Sequence, residues 1–370
     1  MHFKYFEWDE RFARKKGASP FDTLWDLFQQ LLTVASGDVA HALKWLKEIN
    51  EEAGITEEFE GHYSLSDFIE ELKERGYLEQ DPKLNVLMMT RKSERSLRKK
   101  SLKQVFKNLK KGTLGSHETP YTGKGLERKP ETRKWHQGDE IGQIDSVHTM
   151  LNMLKHSSID TFNLQEDDLE VHDRDLYTSV ATVLLIDLSH SMILYGEDRI
   201  TPAKKVAMAL SELIMNTYAK DSLDIVAFGN KAWKISVEDL PYLKVGPYHT
   251  NTKQGLEVAR HILQRKKFAN KQIFMITDGK PSCMIENGKL YKNSFGLDRK
   301  IVNKVLDEAV KCRKDDIIIT TFMIAKDPYL QQFVREMTEA NKGKAYFASL
   351  DNLGGYIFED YIQNRKRNVR

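Results

Sequence analysis

The stretch that predicts the fold is VLLIDLSHSM, Val183 to Met192. An apolar, β-prone run ends at Asp187, and Ser189 and Ser191 follow at alternate positions. A short apolar run that stops at polar residues is typical of a fully buried strand. The stretch therefore predicts a buried strand whose carboxyl end delivers one carboxylate and two hydroxyl groups.

The sequence around this strand predicts an α/β domain. From about residue 176, apolar runs of strand length alternate with amphipathic helical runs. The predicted strands are SVATVLLID (179–187), LDIVAFG (223–229), AWKISV (232–237), KQIFMITD (271–278), IIITTFMIA (317–325) and KAYFAS (344–349). Nearly continuous apolar strands separated by helices indicate a doubly wound, mostly parallel sheet covered on both faces. AWKISV follows GNK closely and is expected to form an antiparallel edge hairpin.

The first third of the chain predicts helices. Ser19 and Pro20 begin one, Asp38 begins a second, and a capping-box pattern from Ser64 to Asp67 begins a third. A fourth is expected over residues 97–111. We therefore predict a helical N-terminal region over residues 1–115, a basic and polar connector over 116–177, and the α/β domain over 178–370.

Composition limits the class of protein. The chain has 370 residues, a net charge of +3 and two cysteines, too few for a disulfide framework or a structural zinc site. The opening residues contain no apolar run typical of a secretory signal, and no segment is apolar enough to span a membrane. We expect a cytoplasmic protein. The sequence contains neither a nucleotide-binding P-loop nor a GxSxG nucleophile elbow, so a non-enzymatic role is expected.

Three segments carry polar side chains to the expected carboxyl edge of the sheet. Asp187, Ser189 and Ser191 lie in the first, Thr250 precedes a helix in the second, and Asp278 ends the strand KQIFMITD in the third. The carboxyl ends of parallel strands meet at one edge of a sheet, where ligands bind. Carboxylates and hydroxyls are hard oxygen ligands that suit Mg²⁺ or Mn²⁺. The spacing therefore predicts a divalent-metal site at this edge.

These residues resemble the metal-ion-dependent adhesion site of von Willebrand factor A (vWA) domains. That pattern combines Asp-x-Ser-x-Ser, a threonine in a GGTNT-like loop and an aspartate in TDG. In this chain its positions are occupied by Asp187, Ser189, Ser191, Thr250 in YHTNT and Asp278 in ITDGKPS. The sequence departs from the pattern at residues 247–249, where Pro-Tyr-His stands in place of Gly-Gly. The resemblance covers about residues 178–366.

The resemblance implies a metal-dependent interaction rather than catalysis. It implies that the serines and the threonine hold Mg²⁺, with Mn²⁺ or Ca²⁺ as alternatives, and that the aspartates often act through water. An acidic residue of a protein partner would complete the shell. The layout is similar to the D subunit of magnesium chelatase and to proteins that accompany MoxR-type AAA+ ATPases. It implies an adaptor that docks such an ATPase or its client.

Residues near the predicted site are candidates for partner contact. They are His190, Arg199, His249, Lys280, Tyr291 and Phe295. Lys204, near Arg199, is a further cation that could hold an acidic partner or be solvated at the start of a helix.

A second function remains open because charge is concentrated in residues 91–134. This stretch contains fifteen Lys/Arg and four Glu, a net charge of 15 − 4 = +11. The overlapping segment 69–109 reads as a helix, a short strand, a basic turn and a helix, which could form a winged-helix-like unit that binds nucleic acid. The alternative is a solvated helix face neutralised by acidic segments elsewhere in the chain.

Overall fold

The structure is a computed structural model that describes residues 19–57, 59, 63–109, 128–136, 144–157, 163–174, 179–196, 198–278, 280–293, 296–324, 327–347 and 353–365. The chain divides into two compact units. The first comprises Met1–Thr113, Ala181–Lys267 and Lys271–Phe358, and the second comprises Leu114–Val180, Phe268–Asn270 and Glu359–Arg370. None of the described helices is both long and apolar enough to cross a membrane.

The N-terminal region is helical, as predicted. Its elements are α1 (Pro20–Val34), α2 (Val39–Ala53), α3 (Leu65–Glu74), β1 (Leu78–Gln80), β2 (Leu87–Met89) and α4 (Arg91–Leu109). Ser19 and Asp38 cap α1 and α2, and Ser64 forms the predicted capping box with Asp67. The strands β1 and β2 pair as a small antiparallel hairpin.

A six-stranded sheet forms the centre of the first unit. Its strands are β5 (Val180–Asp187), β6 (Ser222–Phe228), β7 (Ala232–Ile235), β8 (Asn270–Thr277), β11 (Ile317–Met323) and β12 (Lys344–Phe347). Their order is β12-β11-β8-β5-β6-β7, and β7 is an antiparallel edge strand. All eight residues of β5 are buried. The mostly parallel fold and the edge hairpin were both predicted, and the structure confirms them.

Four of the described helices lie between consecutive strands of this sheet: α6 (Ile200–Thr217), α7 (Thr252–Gln264), α8 (Arg299–Lys314) and α9 (Pro328–Asn341). A fifth helix, α10 (Leu353–Arg365), follows the last strand. After β8 the chain forms a second small hairpin, β9 (Cys283–Glu286) and β10 (Lys289–Lys292). Sequence analysis did not identify this hairpin. Its turn residues, Asn287 and Gly288, both have positive φ, which is the Asn-Gly signature of a tight two-residue turn.

The fourth helix begins six residues earlier than predicted. Its first turns carry the polar residues Ser93, Glu94 and Arg98, and all three are buried. Helix α4 packs along α6, where the Arg98 guanidinium lies 3.4 Å from the Glu212 carboxylate. Tyr242 donates a hydrogen bond of 2.9 Å to Glu94. An apolar stripe could not reveal this start, because the buried face there is polar.

Lys204 also joins the helical region to the sheet domain. It is fully buried on α6. Its ammonium group donates to the carbonyl oxygen of Thr33 at 2.8 Å, to the Ser36 hydroxyl at 3.0 Å and to the carbonyl oxygen of Leu243 at 3.3 Å. Lys204 therefore caps the end of α1 and does not face the predicted site, contrary to the expectation that it is solvated or meets a partner.

The second unit contains ordered elements within the range expected to form a connector. These are β3 (Arg128–Lys134), α5 (Ser146–Met153) and β4 (Glu170–Arg174). The two strands pair antiparallel, and α5 packs on β4. Asp145 caps α5, and its own backbone N–H donates to the carbonyl oxygen of Glu170 at 2.7 Å.

Candidate metal-binding site

Asp187 is held rigidly at the carboxyl end of β5. Its side chain is fully buried. One carboxylate oxygen accepts the backbone N–H of Ser189 at 2.9 Å, and the other accepts the hydroxyl of Thr277, on the neighbouring strand β8, at 2.7 Å. The turn and the adjacent strand thus orient this carboxylate together.

The two predicted serines present adjacent hydroxyl groups. The Oγ atoms of Ser189 and Ser191 lie 2.9 Å apart. Ser189 is buried and Ser191 is half-buried, so the pair lies between the protein interior and the surface. A short 3₁₀ turn, His190–Gly196, carries Ser191 and follows the strand directly.

Thr250 reaches the same edge from a separate loop. It is buried, and its backbone N–H donates to the Ser282 hydroxyl at 2.9 Å. Its carbonyl oxygen accepts the N–H of Ser282 at 3.0 Å and that of Cys283 at 3.3 Å. The next residue, Asn251, caps α7. The loop is therefore fixed between the start of a helix and the first residues of the β9–β10 hairpin.

Asp278 follows β8 and carries an unsatisfied oxygen. Its Oδ2 lies 3.4 Å from Nη1 of Arg199. Its Oδ1 is buried and has no hydrogen-bond partner within the described part of the chain. Burial raises the pKa of Asp278, an effect that the nearby Ser191 hydroxyl and Arg199 guanidinium partly offset. Burial and the charge of Asp278 together raise the pKa of Asp187 to about 7.

The structure thus brings all five predicted positions to one edge of the sheet. The carboxylate of Asp187 raises the pKa of Cys283, whose N–H bonds to Thr250, so the three loops are in mutual reach. The described residues contain no cluster of three or more His, Cys, Asp or Glu side chains that could hold a metal. A site here would depend on hydroxyl ligands, and this mixed oxygen set suits Mg²⁺.

The predicted partner-binding residues are dispersed around this edge. His190 is exposed, and His249 is half-buried, with its pKa lowered by burial and by the charges of Lys292 and Lys280. Arg199 is engaged with Asp278. Tyr291 lies on β10 and donates a hydrogen bond of 2.8 Å to Asp298. Phe295 lies outside the described residues.

Sequence analysis missed two aromatic residues beside the site, Tyr248 and Trp233. The carbonyl oxygen of Tyr248 accepts the N–H of His190 at 3.0 Å, which ties the Thr250 loop to the Asp187 loop. Its ring meets that of Trp233 edge-on, with 6.4 Å between centroids. The signal that could have identified Tyr248 was its occupation of a position where the vWA pattern has glycine.

Two family models match the chain. The model described as "Rv0959-like protein, vWA domain" matches residues 180–362, and "Rv0959-like protein, third domain" matches residues 127–174. The chain contains a vWA domain over residues 180–362. The first match spans the six-stranded sheet, and the second covers most of the described part of the small β3–α5–β4 unit.

Curated relatives match the sequence of this chain over part of their length. Uncharacterized protein Rv0959 of Mycobacterium tuberculosis and uncharacterized protein Mb0984 of Mycobacterium bovis are each 28% identical to the chain over 285 residues. The alignment covers 75% of this chain and 42% of each relative. The chain therefore spans less than half the length of the curated relatives it matches.

Solved vWA structures are more distant. The vWF domain of the type V pili tip protein Mfa5 from Porphyromonas gingivalis is 13% identical, with a TM-score of 0.42, over 52% of this chain and 98% of that domain. The SpRpn10 VWA domain is 17% identical, with a TM-score of 0.36, over 48% of this chain and 93% of that domain.

Proposed function

We propose that this vWA-domain protein is a non-catalytic adaptor that binds a protein partner through a divalent metal ion. The partner supplies an acidic residue that completes the metal shell. The single observation that carries the proposal is the convergence of Asp187, Ser189, Ser191, Thr250 and Asp278 at one sheet edge. Among the residues that the structure describes, one buried carboxylate oxygen of Asp278 has no hydrogen-bond partner.

The chemistry of the donor set supports a metal ion that keeps its attraction for an outside carboxylate. Three of the five donors are neutral hydroxyl groups, so they leave much of the charge of Mg²⁺ uncompensated. The two aspartates are oriented by Ser189, Thr277 and Arg199, and they balance part of that charge from within the protein. When bound, the ion supplies an open coordination position for an acidic ligand.

The partner we propose is a MoxR-type AAA+ ATPase or its client. Support comes from the sequence layout, in which a helical region precedes a vWA domain and the chain has no nucleotide-binding motif of its own. Size-exclusion chromatography of the protein mixed with a MoxR-type ATPase from the same organism tests this. Co-elution in Mg²⁺ and separation in EDTA are expected, and separation in both buffers would reject this partner.

Direct metal binding is the first test of the adaptor function. The electron paramagnetic resonance signal of free Mn²⁺ is lost when the ion binds, so titration of the protein with Mn²⁺ reports occupancy. We expect one site in the wild type, competed by Mg²⁺, and severe weakening in Asp187→Asn. This variant keeps the shape of the side chain but removes its charge.

Asp316→Asn is the matched control. Asp316 is exposed at the amino end of β11, the opposite edge of the sheet, and has φ of +56°, which asparagine also adopts readily. Mn²⁺ binding should be unchanged in this variant. Equal binding by the wild type and Asp187→Asn, or no binding by either, would refute the metal-dependent proposal.

A nucleic-acid-binding role is the second candidate, because one face of α4 is basic. Arg91, Arg95, Lys99 and Lys103 recur every four residues and are all exposed, while the opposite face is buried against α6. Such a row matches the spacing of one helical face and can meet phosphate groups. Binding of phosphate groups by this face of α4 requires no metal ion.

Fluorescence anisotropy with random-sequence DNA and RNA distinguishes the two roles. Binding that falls steeply with salt, persists in EDTA and is lost when these four residues are changed to glutamine supports the second candidate. Binding confined to very low salt, or unaffected by the four changes, refutes it.

A further inference from the structure

The departure from the vWA glycine pattern places an aromatic side chain beside the metal-binding edge. Tyr248 stands two residues before Thr250, where the pattern has glycine. A chain of two residues spans at most about 7 Å, so the backbone of Tyr248 lies within that distance of Thr250. Its carbonyl oxygen is bonded to the Asp187 loop through His190. The aromatic ring is thus carried by the same loops that carry the proposed metal ligands.

Two glycines leave the space that the Tyr248 side chain occupies. A side-chain carbon at Gly246 would lie 2.2 Å from the Tyr248 ring, and one at Gly229 would lie 2.8 Å from Cβ of Tyr248. The tyrosine therefore lies directly against bare backbone on one side. Even so, 37% of Tyr248 remains exposed, as does 39% of the neighbouring Trp233. The fold holds an aromatic pair in a set position without burying it.

The 3₁₀ turn that carries Ser191 also carries an exposed apolar side chain. Ile193 stands two residues after Ser191 and is 45% exposed. Exposed large apolar side chains that cluster at one place mark interaction surfaces, whereas single ones are ordinary. Tyrosine and tryptophan are also the residues that dominate binding energy in protein interfaces. Tyr248, Trp233 and Ile193 are therefore placed to contact whatever reaches the metal.

Positively charged side chains near Tyr248 and Trp233 favour an acidic partner. Lys280 stands two residues after Asp278. Lys292 is exposed and pairs in the β9–β10 hairpin with Cys283, whose N–H donates to the carbonyl oxygen of Thr250. An acidic segment bound here would meet lysines next to the aromatic pair.

From these contacts we infer that the partner presents an acidic segment with an aromatic or large apolar residue one or two positions from the metal-binding carboxylate. That residue stacks on Tyr248 and Trp233. Adjacent residues of an extended peptide lie roughly 3.5 Å apart along the chain, so one or two positions match the separation of Thr250 and Tyr248. The inference rests on the proposed metal-dependent function and adds to it the sequence preference of the site for its partner segment.

A displayed peptide library tests the inference without a known partner. The probe is a random library of peptides about twelve residues long with one fixed central glutamate, bound to the full chain in Mg²⁺ and eluted with EDTA. We expect the eluted pool to be enriched in aromatic or large apolar residues within two positions of the glutamate. The same selection on Tyr248→Gly should keep the acidic requirement and lose the flanking preference.

Individual peptides from the wild-type pool show how much affinity the aromatic contacts contribute. Their affinity should fall roughly three- to tenfold in Tyr248→Gly and in Trp233→Thr, the range expected for loss of one aromatic contact. Trp233 lies on the edge strand β7, so threonine keeps the strand propensity and provides a second variant if Tyr248→Gly is unstable. Tyr329→Ala, which removes an exposed aromatic side chain on α9, should leave affinity unchanged.

The outcomes separate this inference from the proposed function. An EDTA-eluted pool that requires glutamate but shows no flanking preference overturns the inference and leaves metal-dependent docking intact. A flanking preference that survives in Tyr248→Gly and Trp233→Thr also overturns it. An empty EDTA-eluted pool overturns both, because nothing then binds through the metal.

Discussion

The buried lysine on α6 gives the protein a stability that depends on pH in a specific range. Lys204 is fully buried, and its three hydrogen-bond acceptors are two backbone carbonyls and a hydroxyl group, all of them neutral. Burial lowers its pKa from 10.5 to about 8. The charge of Asp198 opposes this decrease, while Lys244 and Lys205 add to it. The perturbation we choose is Lys204→Met, which keeps a long apolar side chain and removes the ammonium.

The size of the effect on the free energy of unfolding follows from the difference between the pKa of this lysine in the folded and in the unfolded protein. A change from 10.5 to about 8 disfavours the charged form in the folded protein by about 3 kcal/mol. Below pH 8 both states carry the proton, so the full cost is present and constant. Between pH 8 and 10.5 the unfolded state binds more protons than the folded state, so stability rises with pH. Above 10.5 neither state is charged and the cost is absent.

The assay is urea unfolding of wild type and Lys204→Met from pH 7 to pH 10. The free energy of unfolding of the wild type, minus that of the variant, should be flat to pH 8 and then rise by roughly 2–3 kcal/mol. Subtraction is necessary because burial also raises the thiol pKa of Cys283 and Cys312 to about 12, which lowers stability at high pH in both proteins.

Lys220→Met is the control, because Lys220 is exposed in the turn that follows α6. The difference in the free energy of unfolding between the wild type and Lys220→Met should not change with pH over this range. If the difference in the free energy of unfolding between the wild type and Lys204→Met does not change with pH, the reasoning is refuted, because the buried ammonium is then not disfavoured. A difference that falls with pH would require a carboxylate partner that raises the pKa.

Three further predictions concern buried polar contacts and are tested by urea unfolding at pH 7. Arg98→Met leaves Glu212 buried without its cation and should lose roughly 3–5 kcal/mol, most of which the double variant with Glu212→Leu regains. Asn341→Leu removes hydrogen bonds to three backbone groups and should lose roughly 2–4 kcal/mol. Gly343→Ala places a carbon 2.0 Å from the carbonyl oxygen of Ile319 and should lose at least about 2 kcal/mol.

Each of these has a contradicting result. If the Arg98 and Glu212 changes are additive, the two charges do not compensate one another. If Asn341→Leu matches the wild type, water satisfies the freed backbone groups. If Gly343→Ala is neutral, the chain between α9 and β12 moves away from β11 without cost.

Local patterns predicted the elements of the fold because their causes are local. Apolar runs over residues 179–187 and 271–278 became β5 and β8, and capping residues at Ser19, Asp38 and Ser64 begin the helices that they predicted. The β9–β10 hairpin also has a local cause, because Asn287-Gly288 is a strong turn signal, although the hairpin was not predicted.

Buried polar contacts were not predictable, because hydrophobic periodicity carries no information about them. The start of α4 and the burial of Lys204 both depend on partners contributed by distant elements. Lys204 meets Thr33, 171 residues earlier in the chain. A charged residue beside a candidate site is expected at the surface until the packing of another helix covers it.

By itself, the sequence determined which oxygen donors are available at the carboxyl edge of the sheet, where we propose the metal site, and their order along the chain. Only the tertiary structure decided how they are held. Thr277 orients Asp187 across 90 residues, and Ser282 fixes Thr250 across 32. Tertiary packing also decided that Tyr248 lies against Gly229 and Gly246 with much of its surface exposed. Such contacts depend on which strands lie side by side, and the pairing of distant strands is set by the whole core rather than by any local pattern.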